Sequence, residues 1–247
     1  MLRTLVETYW DGGLAAVRRK ASYVYGHLVQ AYLQPRMRTW TETVVLNSVE
    51  VPVDRSPVDR LPFYEPTMPT ADRPAYEAAE VAALRRYGRP GDHVVVVGGG
   101  LGVTAVVAAR AVGPGGRVTV FEPAPAAARV AARTVRRYGL AARVRLVRAA
   151  VGAPSATCFT YWMPPGVPSL PPGALPAADV YEVDCEGAEV ALLRHLPVRP
   201  RVLLIETHDN HEAVVALLRA RGYALDSVVD DRGPSGPDRT HVRAHRG

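Results

Sequence analysis

Cysteine and lysine are scarce in this chain of 247 residues, and long uninterrupted hydrophobic runs are missing. Cys158 and Cys185 stand apart from each other and from any group of histidines, so we expect free thiols rather than a disulfide framework or a zinc site. No stretch approaches the roughly 20 apolar residues that a membrane-spanning helix needs. Charged residues between Glu7 and Lys20 also interrupt the first segment, which argues against a signal core. These absences predict a cytoplasmic protein.

Basic residues outnumber acidic ones, 30 to 24, which gives a formal net charge of +6, and Lys20 is the only lysine. The arginines are scattered along the chain and lack the interleaved aromatic side chains that would suggest a nucleic-acid interface. We therefore interpret the charge as a solvated surface and do not expect a nucleic-acid partner. With 48% hydrophobic residues, the composition is typical of a globular protein with a full core.

The segment 1–73 differs in pattern from the rest of the chain. Residues 1–40 carry apolar and aromatic side chains at roughly helical spacing, which predicts a helical cap on the main domain. The same helices could instead form an oligomer contact or a lid over a substrate. Thr43–Val53 is β-branched enough for one or two strands, and prolines then punctuate a connecting loop. We predict an N-terminal extension of helices and loops over 1–73.

From Pro74 onward, short apolar runs alternate with helical stretches. This alternation predicts a doubly wound α/β domain over 74–247, with a mostly parallel sheet and helices on both of its faces. The predicted strands are Val94–Val97, Arg117–Phe121, Val144–Val147, Val180–Val183 and Val202–Ile205. The predicted helices are Pro74–Tyr87, ended by Gly88, and then Val103–Val112, Pro125–Tyr138 and Glu212–Arg221. A proline-rich irregular loop is expected at 163–177.

A glycine loop follows the first of these strands and opens the next helix. Gly98, Gly99, Gly100 and Gly102 let the chain turn tightly, and they let its backbone approach a ligand without an intervening Cβ. Gly98-x-Gly100-x-Gly102 fits the loop of methyltransferases, and Gly100-x-Gly102-x-x-Ala105 fits the dinucleotide-binding pattern as well. The loop therefore predicts a nucleoside-containing cofactor and leaves its class open.

Acidic residues stand where the later strands end. Glu122 ends the second strand, about 20 residues after the loop, and a carboxylate there can accept both hydroxyls of a ribose, whichever cofactor carries it. Asp184 and Glu186 follow the fourth strand, and His208 follows the fifth. Because ligands of α/β sheets bind outside the carboxyl ends of the strands, we expect all four side chains beside one crevice.

His208, Asp184 and Glu186 are the candidate catalytic bases of this crevice, since each can take a proton and histidine has a pKa suited to work near neutrality. In a competing interpretation, the same three side chains bind a hard cation such as Mg²⁺, which would orient a diol. We favour the interpretation without a metal. His241 and His245 are expected on the surface, in a basic tail.

Three motifs occur in order: Val-Phe-Glu-Pro (120–123), Val-Asp-Cys-Glu-Gly-Ala-Glu (183–189) and Leu-Leu-Ile-Glu-Thr-His (203–208). Together they resemble the FkbM family of S-adenosylmethionine-dependent methyltransferases. The usual form of the middle motif in that family is similar to Asp-Val-Glu-Gly-Ala-Glu, with valine where Cys185 stands here. The resemblance covers about 90–225. It implies a Rossmann-like class I methyltransferase fold with a seven-stranded sheet and a reversed last strand, and it implies O-methylation, often of sugars or secondary metabolites.

The resemblance also implies roles for individual residues. The loop glycines would approach the methionine part of S-adenosylmethionine, the acid after the second strand would hold its ribose, and a small-residue segment after the third strand would lie near its adenine. The residues expected at the cofactor are Gly98, Gly99, Gly100, Gly102, Glu122, Pro123, Ala149, Ala150 and Asp184. Asp184, Glu186 and His208 would face the acceptor, which we expect to be a small molecule or a glycan.

One departure from the usual methyltransferase pattern concerns Val96. Many methyltransferases carry an acidic residue two positions before the first loop glycine, and that position is Val96 here. The ammonium group of the cofactor would then rely on backbone carbonyls or on another acid. Two alternatives stay open: an NAD-dependent oxidoreductase, from Gly100-x-Gly102-x-x-Ala105, and a non-catalytic Rossmann-like binding module, from Val96.

Overall fold

The computed structural model describes residues 36–61, 66, 68–152, 166–230 and 239–246. The helices predicted before residue 36, with the oligomer contact or lid assigned to them, lie outside the described residues, as does Cys158. Among the described helices, none combines the length and the apolar character of a membrane-spanning segment. The chain divides into two compact units, one of Met1–Val44 with Pro52–Arg73 and one of Val45–Val51 with Pro74–Gly247.

A two-stranded hairpin of β1 (Trp40–Leu46) and β2 (Val49–Arg55) begins the described chain, where strands are predicted. Asn47 and Ser48 join the two strands with φ values of 45° and 65°. Left-handed conformations at both central positions define the type I′ turn, whose twist matches that of the flanking strands. The turn belongs to the second unit.

Arg55 organises the described part of the first unit. Its side chain is 4% exposed, and its Nε donates a hydrogen bond of 3.0 Å to Glu42. The same guanidinium donates to the carbonyl oxygens of Met68 and Pro69. The buried Arg55 side chain therefore links β1 to the segment around Met68 and Pro69, which the sequence predicted only as part of a proline-rich loop.

The second unit contains the remaining strands and all five described α-helices. Its strands are β3 (His93–Val97), β4 (Arg117–Phe121), β5 (Val144–Val147), β6 (Ala150–Val151), β7 (Ser169–Leu170), β8 (Val180–Val183), β9 (Val202–His208), β10 (Ala224–Asp230) and β11 (Arg239–His245). Its helices are α1 (Ala78–Tyr87), α2 (Val103–Ala111), α3 (Pro125–Arg137), α4 (Glu189–His195) and α5 (His211–Ala220).

Seven of these strands form one sheet in the order β5-β4-β3-β8-β9-β11-β10. The first five run parallel, and β11 lies antiparallel between β9 and β10. This confirms the predicted α/β fold with a seven-stranded, mostly parallel sheet and a reversed last strand. The short strands β6 and β7 pair separately, so part of the loop predicted at 163–177 has regular structure.

Helices cover both faces of the sheet, as expected for a doubly wound fold. Leu192 of α4 and Leu218 of α5 share a buried cluster with Tyr181 and Ile205. On the opposite face, α1 packs over β8, β9 and β11. Every residue of β3 is buried, which explains why its sequence is a continuous apolar run rather than an alternating one.

Two boundaries of the α/β domain differ from the predictions by more than one residue. Helix α1 begins at Ala78 rather than Pro74, because Glu77 has a φ of 47°, which a right-handed helix cannot contain. Gly88 ends this helix as predicted, in an extended conformation with φ −69° and ψ 129°, and a Cβ there would lie 2.8 Å from the Leu84 carbonyl oxygen. Strand β9 continues to His208 because β11 pairs with it over its whole length.

The placement of His241 and His245 in an exposed tail is wrong. Both residues belong to β11, which is hydrogen-bonded on both sides inside the sheet. His241 is only 6% exposed. The sequence analysis missed this strand because β11 is basic and polar and lacks the apolar run that marks the parallel strands.

Candidate active site

The carboxyl ends of β3, β4, β5 and β8 align in one row with Ile205 of β9, which itself continues to His208. The register partners at the row are Val97 of β3, Phe121 of β4, Val147 of β5, Val183 of β8 and Ile205 of β9. The next residues along the chain are Gly98, Glu122, Arg148, Asp184 and Glu206. The register therefore brings the predicted site residues to the edge at which α/β sheets bind ligands.

Two loop glycines are required by close packing on neighbouring strands. A Cβ on Gly98 would overlap the carbonyl oxygen of Asp184, and a Cβ on Gly99 would overlap the Val120 side chain. Both amides donate to the Phe121 carbonyl oxygen, over 2.9 and 3.1 Å. The absence of a Cβ at Gly98 and Gly99 thus lets the loop pack directly against the ends of β4 and β8.

Gly100 and Gly102 differ in what surrounds them. Gly102 has a φ of 87° and precedes α2, and a Cβ there would lie 3.0 Å from the Cα of Ala131 in α3. A Cβ on Gly100 would meet no atom nearer than a Glu77 carboxyl oxygen at 3.5 Å. Among the four loop glycines, Gly100 is therefore the one whose surroundings leave space for a ligand against the backbone.

Glu122 is fastened to the glycine loop. One of its carboxylate oxygens accepts the Gly100 amide and the other accepts the Ala124 amide, each over 2.7 Å. The residue is 1% exposed. A carboxylate has about four lone-pair sites, so it has acceptor capacity beyond these two bonds. The acid that the sequence predicted for a ribose lies beside the loop and also fixes the position of Gly100.

Tyr76 and Glu77, which the sequence analysis did not identify, border the open side of Gly100. From the position of a Cβ on Gly100, the Glu77 carboxyl lies at 3.5 Å and the Tyr76 hydroxyl at 3.9 Å. Burial, and then the charge of Glu80, raises the pKa of Glu77 to about 8. No local signal marks these residues, because Tyr-Glu before an alanine-rich stretch is an ordinary start of a helix.

His208 is oriented by a buried carboxylate. Its Nδ1 lies 3.0 Å from Oε1 of Glu189, the first residue of α4, which is fully buried. Glu189 also accepts hydrogen bonds from the Asn210 side chain and the Gly187 amide. Burial would raise the pKa of Glu189, but these three hydrogen bonds outweigh it and lower that pKa. The last acid of the Asp-Cys-Glu-Gly-Ala-Glu motif is therefore an internal anchor for His208.

The three predicted catalytic side chains do converge. His208 Nε2 lies 3.6 Å from Asp184 Oδ1 and 3.6 Å from Glu186 Oε2. Burial, and then the charge of Glu206, raises the pKa of Asp184 well above its ordinary value. Burial would lower the pKa of His208, but its bond to Glu189 and the surrounding acids raise it. Asp184 and His208 therefore both hold a proton to higher pH than the same side chains do in water.

A second acidic cluster lies deeper, beneath α1. It contains Glu80, Glu182, Glu206 and His241, all less than 9% exposed. His241 Nδ1 lies 3.2 Å from Glu80 Oε1; burial would raise the pKa of Glu80, but this contact, with further hydrogen bonds to the backbone and Glu206, lowers it. Burial, and then the charge of Glu80, raises the pKa of Glu182 well above its ordinary value. The site edge is therefore more acidic than the motifs alone indicated.

Backbone strain concentrates at this edge. Within the described ranges, five residues other than glycine have a positive φ, and two of them form the hairpin turn. The other three are Glu77, Glu186 and Asp209, with φ values between 47° and 54°. Such conformations cost about 1–3 kcal/mol each and persist where surrounding structure imposes them, often at functional sites.

The remaining predicted residues lie at the same edge or next to it. Ala149 and Ala150 follow β5 and are buried, and the Ala150 amide donates to the Pro168 carbonyl oxygen over 2.9 Å. Pro123 is half-buried directly after Glu122. Cys185 carries a free thiol, as predicted.

A cavity of about 810 Å³ opens elsewhere, along β4 and β5. His93, Thr119 and Arg145 are among its lining residues, which include none of the loop glycines and none of the clustered acids. Cavity size therefore does not locate the predicted site, whose definition rests on the register of the strand ends.

Comparison with known proteins gives the fold its name. No protein-family model matches the sequence, and no curated protein matches it. P. horikoshii TYW2 in complex with MeSAdo is similar in structure, with a TM-score of 0.54 and 12% identity over 84% of this chain and 72% of that chain. Precorrin-6y C5,15-methyltransferase from Geobacter metallireducens gives a TM-score of 0.50 and 16% identity over 74% of this chain and 92% of that chain.

TrmN from Thermus thermophilus is also similar, with 20% identity, a TM-score of 0.47 and 67% of this chain covered. This chain spans about half of TrmN, 48% of its length. The similarity to TYW2 and to the precorrin enzyme shows that the seven-stranded sheet and its flanking helices form a Rossmann-like methyltransferase fold.

Proposed function

We propose that the chain is an S-adenosylmethionine-dependent methyltransferase that methylates a hydroxyl oxygen of a small molecule or glycan. The observation that carries this proposal is the bond between the Gly100 amide and the buried Glu122 carboxylate, which fixes an acid against the glycine loop. The fold supports it, since one structural neighbour is a methyltransferase. The resemblance of the three motifs to the FkbM family supports the choice of oxygen.

The residues around the loop fit such a cofactor. Glu122 would hold the ribose hydroxyls, and Ala149 and Ala150 would border the adenine. Glu77 would accept the ammonium group and so replace the acid that is missing at Val96. Its carboxyl lies beside Gly100, where the loop has room for a ligand. The non-catalytic alternative rested on Val96, and the position of Glu77 supports the catalytic proposal over it.

S-adenosylmethionine supplies a methyl group that is already activated by its sulfonium, so the protein mainly has to align the reactants and exclude water. Asp184, Glu186 and His208 would face the acceptor, because they lie on the strand ends next to the loop. Their polar atoms can accept the hydrogen bond of an acceptor hydroxyl and weaken its hold on the proton. Glu189 would keep the His208 ring in one orientation.

Calorimetry with S-adenosylhomocysteine tests the cofactor. We expect one molecule bound per chain and no displacement by NADH. Glu122→Gln should weaken binding at least about tenfold, because an amide cannot accept from the loop and the ribose as a carboxylate does. Glu50→Gln is the matched control, since Glu50 pairs with Arg137 on the surface. Failure of the folded wild-type protein to bind, or displacement by NADH, would contradict the proposal.

Transfer of a labelled methyl group to a panel of glycans and hydroxylated small molecules tests the reaction. We expect the label in an O-methyl group. Label on nitrogen or carbon would contradict the O-directed part of the proposal and leave methyl transfer intact. Cofactor binding with no transfer to any acceptor would favour the binding module.

A further inference from the structure

Three ligand-type atoms of the candidate site face one another without forming hydrogen bonds among themselves. Asp184 Oδ1 and Glu186 Oε2 each lie 3.6 Å from His208 Nε2, and the three side chains offer ligand atoms that all lie within 4.8 Å of one another. Asp184 Oδ1 and His208 Nε2 are buried atoms that have no hydrogen-bond partner. The His208 side chain is 9% exposed, so its unpartnered nitrogen points into the protein and not into solvent.

The hydrogen bond to Glu189 determines which nitrogen of the neutral His208 ring carries the proton. A carboxylate can only accept hydrogen bonds, so the 3.0 Å contact between Glu189 Oε1 and His208 Nδ1 requires the proton on Nδ1. The lone pair of Nε2 then points at the oxygens of Asp184 and Glu186. Histidines that bind metals are usually held in this way, with the second ring nitrogen donating to a carboxylate.

A shared proton does not explain the distances from His208 Nε2 to Asp184 Oδ1 and Glu186 Oε2. Hydrogen bonds between nitrogen and oxygen span about 2.7–3.2 Å, which is shorter than both 3.6 Å contacts. A cation bound about 2.0–2.2 Å from each ligand holds neighbouring ligand atoms roughly 3.0–3.6 Å apart. The observed separations therefore fit a shared cation better than a shared proton.

From this geometry we infer that Asp184, Glu186 and His208 bind one divalent cation. Two carboxylates and a neutral imidazole balance a charge of +2. The imidazole favours a first-row transition ion such as Mn²⁺ over Mg²⁺ or Ca²⁺, which prefer oxygen ligands. Glu206 lies 3.8 Å from His208 Nε2, and its Oε1 also pairs with Arg239 over 3.4 Å, so a cation already balances this acid.

The cation site would also restrict the acceptor, and this part rests on the proposed function. Asp184 and Glu186 are 27% and 22% exposed, so the side of the site away from His208 is accessible to a ligand. A cation held by three protein atoms has further coordination positions, which two adjacent oxygens of an acceptor can fill. Bound there, a hydroxyl loses its proton to solvent more easily, and its bond to the cation takes the place of direct hydrogen bonds to Asp184, Glu186 and His208. The acceptor class is therefore a compound with neighbouring oxygens, such as a vicinal diol.

Titration of the metal-free, full-length protein with MnCl₂ in a calorimeter tests the site without any activity measurement. We expect one ion per chain, and we expect His208→Ala to weaken binding at least about 100-fold. Glu189→Gln should weaken it about 10–100-fold, because Glu189 positions the ring and does not touch the ion. His241→Ala is the matched control, since His241 is also a buried histidine beside acids, and it should retain wild-type affinity. Loss of binding in the His241 variant with retention in the His208 variant would overturn the assignment.

Anomalous scattering from Mn²⁺ in crystals of the wild-type protein gives the same answer if a variant fails to fold. A peak between Asp184, Glu186 and His208 supports the site, and its absence at saturating Mn²⁺ overturns it. Binding of S-adenosylhomocysteine to the metal-free protein separates the two proposals. If the nucleoside binds and Mn²⁺ does not, the cation site alone fails. If Mn²⁺ binds and the nucleoside does not, the proposed function fails and the cation site stands.

Discussion

The side-chain amide of Asn47 donates a hydrogen bond to the Tyr76 carbonyl oxygen, with 2.9 Å between the two atoms. Asn47 belongs to the hairpin turn, and Tyr76 precedes α1. The turn therefore holds the short segment that places Glu77 beside Gly100. A residue that touches neither the glycine loop nor the clustered acids thus acts on the site through the backbone.

Asn47→Gly should weaken the binding of S-adenosylhomocysteine about three- to tenfold. Glycine keeps the left-handed φ of the turn but cannot donate to Tyr76, so the segment before α1 loses one restraint worth about 1 kcal/mol. Calorimetry measures the change. Ser48→Gly, in the same turn, is the control and should bind like the wild type. Equal affinities for both variants would show that the bond does not position the site.

Glu77→Gln should weaken the binding of S-adenosylhomocysteine at least about tenfold. The binding of 5′-methylthioadenosine should be unchanged, because this smaller ligand lacks the ammonium group. Comparison of the two ligands by calorimetry isolates this contact. Equal losses for both would indicate a general disturbance of the loop.

The same residue predicts a pH dependence of binding. The pKa of Glu77 is raised to about 8, so its carboxyl is mostly protonated at lower pH and must lose a proton to pair with the ammonium. Affinity for S-adenosylhomocysteine should therefore rise from about pH 6.5 to 8 in the wild type and change less in Glu77→Gln. Parallel profiles for the two proteins would assign the titration to another group.

Gly102→Ala should destabilise the protein by roughly 2–4 kcal/mol. The left-handed φ of 87° costs alanine about 1–2 kcal/mol, and the new Cβ would press on Ala131. Gly91→Ala is a close control, because Gly91 has the same φ of 87° and a Cβ there meets nothing within 4 Å. Urea unfolding should show the larger loss for Gly102→Ala. Similar losses would mean that strain, and not packing on α3, explains this glycine.

His93 should make stability depend on pH in the acid range. Burial lowers its pKa, and the Ala177 carbonyl oxygen, 2.9 Å away, keeps the proton of the neutral ring on Nδ1. The unfolded chain therefore binds a proton more readily than the folded one. The stability contributed by neutral His93 is present above about pH 6.5 and is lost as the pH falls through the lowered pKa. Urea unfolding of wild type and His93→Gln at pH 7.5, 6.0 and 5.0 should show a smaller loss of stability with falling pH in the variant. Identical pH dependence would contradict this assignment.

The parallel part of the sheet could be predicted because its strands are buried on both faces, so burial leaves a continuous apolar run such as Val94–Val97. Strands β10 and β11 have no such run. Burial alternates along β10, and β11 carries charged and polar residues, of which His241 and Arg243 contact α1. The segment Arg239–His245 forms a strand because it pairs with β9 and β10. This pairing cannot be read from the pattern of its own seven residues.

The candidate site could be predicted where one residue follows a recognisable strand, as with Glu122, Asp184 and the loop glycines. Glu77 could not, because its role depends on a φ of 47° and on a loop more than 20 positions away. The anchoring of His208 by Glu189 was also missed, although both belong to quoted motifs. Two strand ends must be adjacent before these side chains can meet, and only the fold makes them so.

Because β11 lies between β9 and β10, the sheet cannot be completed before β11 has been synthesised. β11 is the last strand of the sheet along the chain, yet it occupies an interior place, and it carries His241 into the acidic cluster beneath α1. A nascent chain that has not yet produced Arg239–His245 therefore has an open edge on β9 and several clustered carboxylates without their histidine. Such a chain is exposed to wrong strand pairing until synthesis passes this segment, so the sheet edge on β9 can form correctly only after Arg239–His245 has been made.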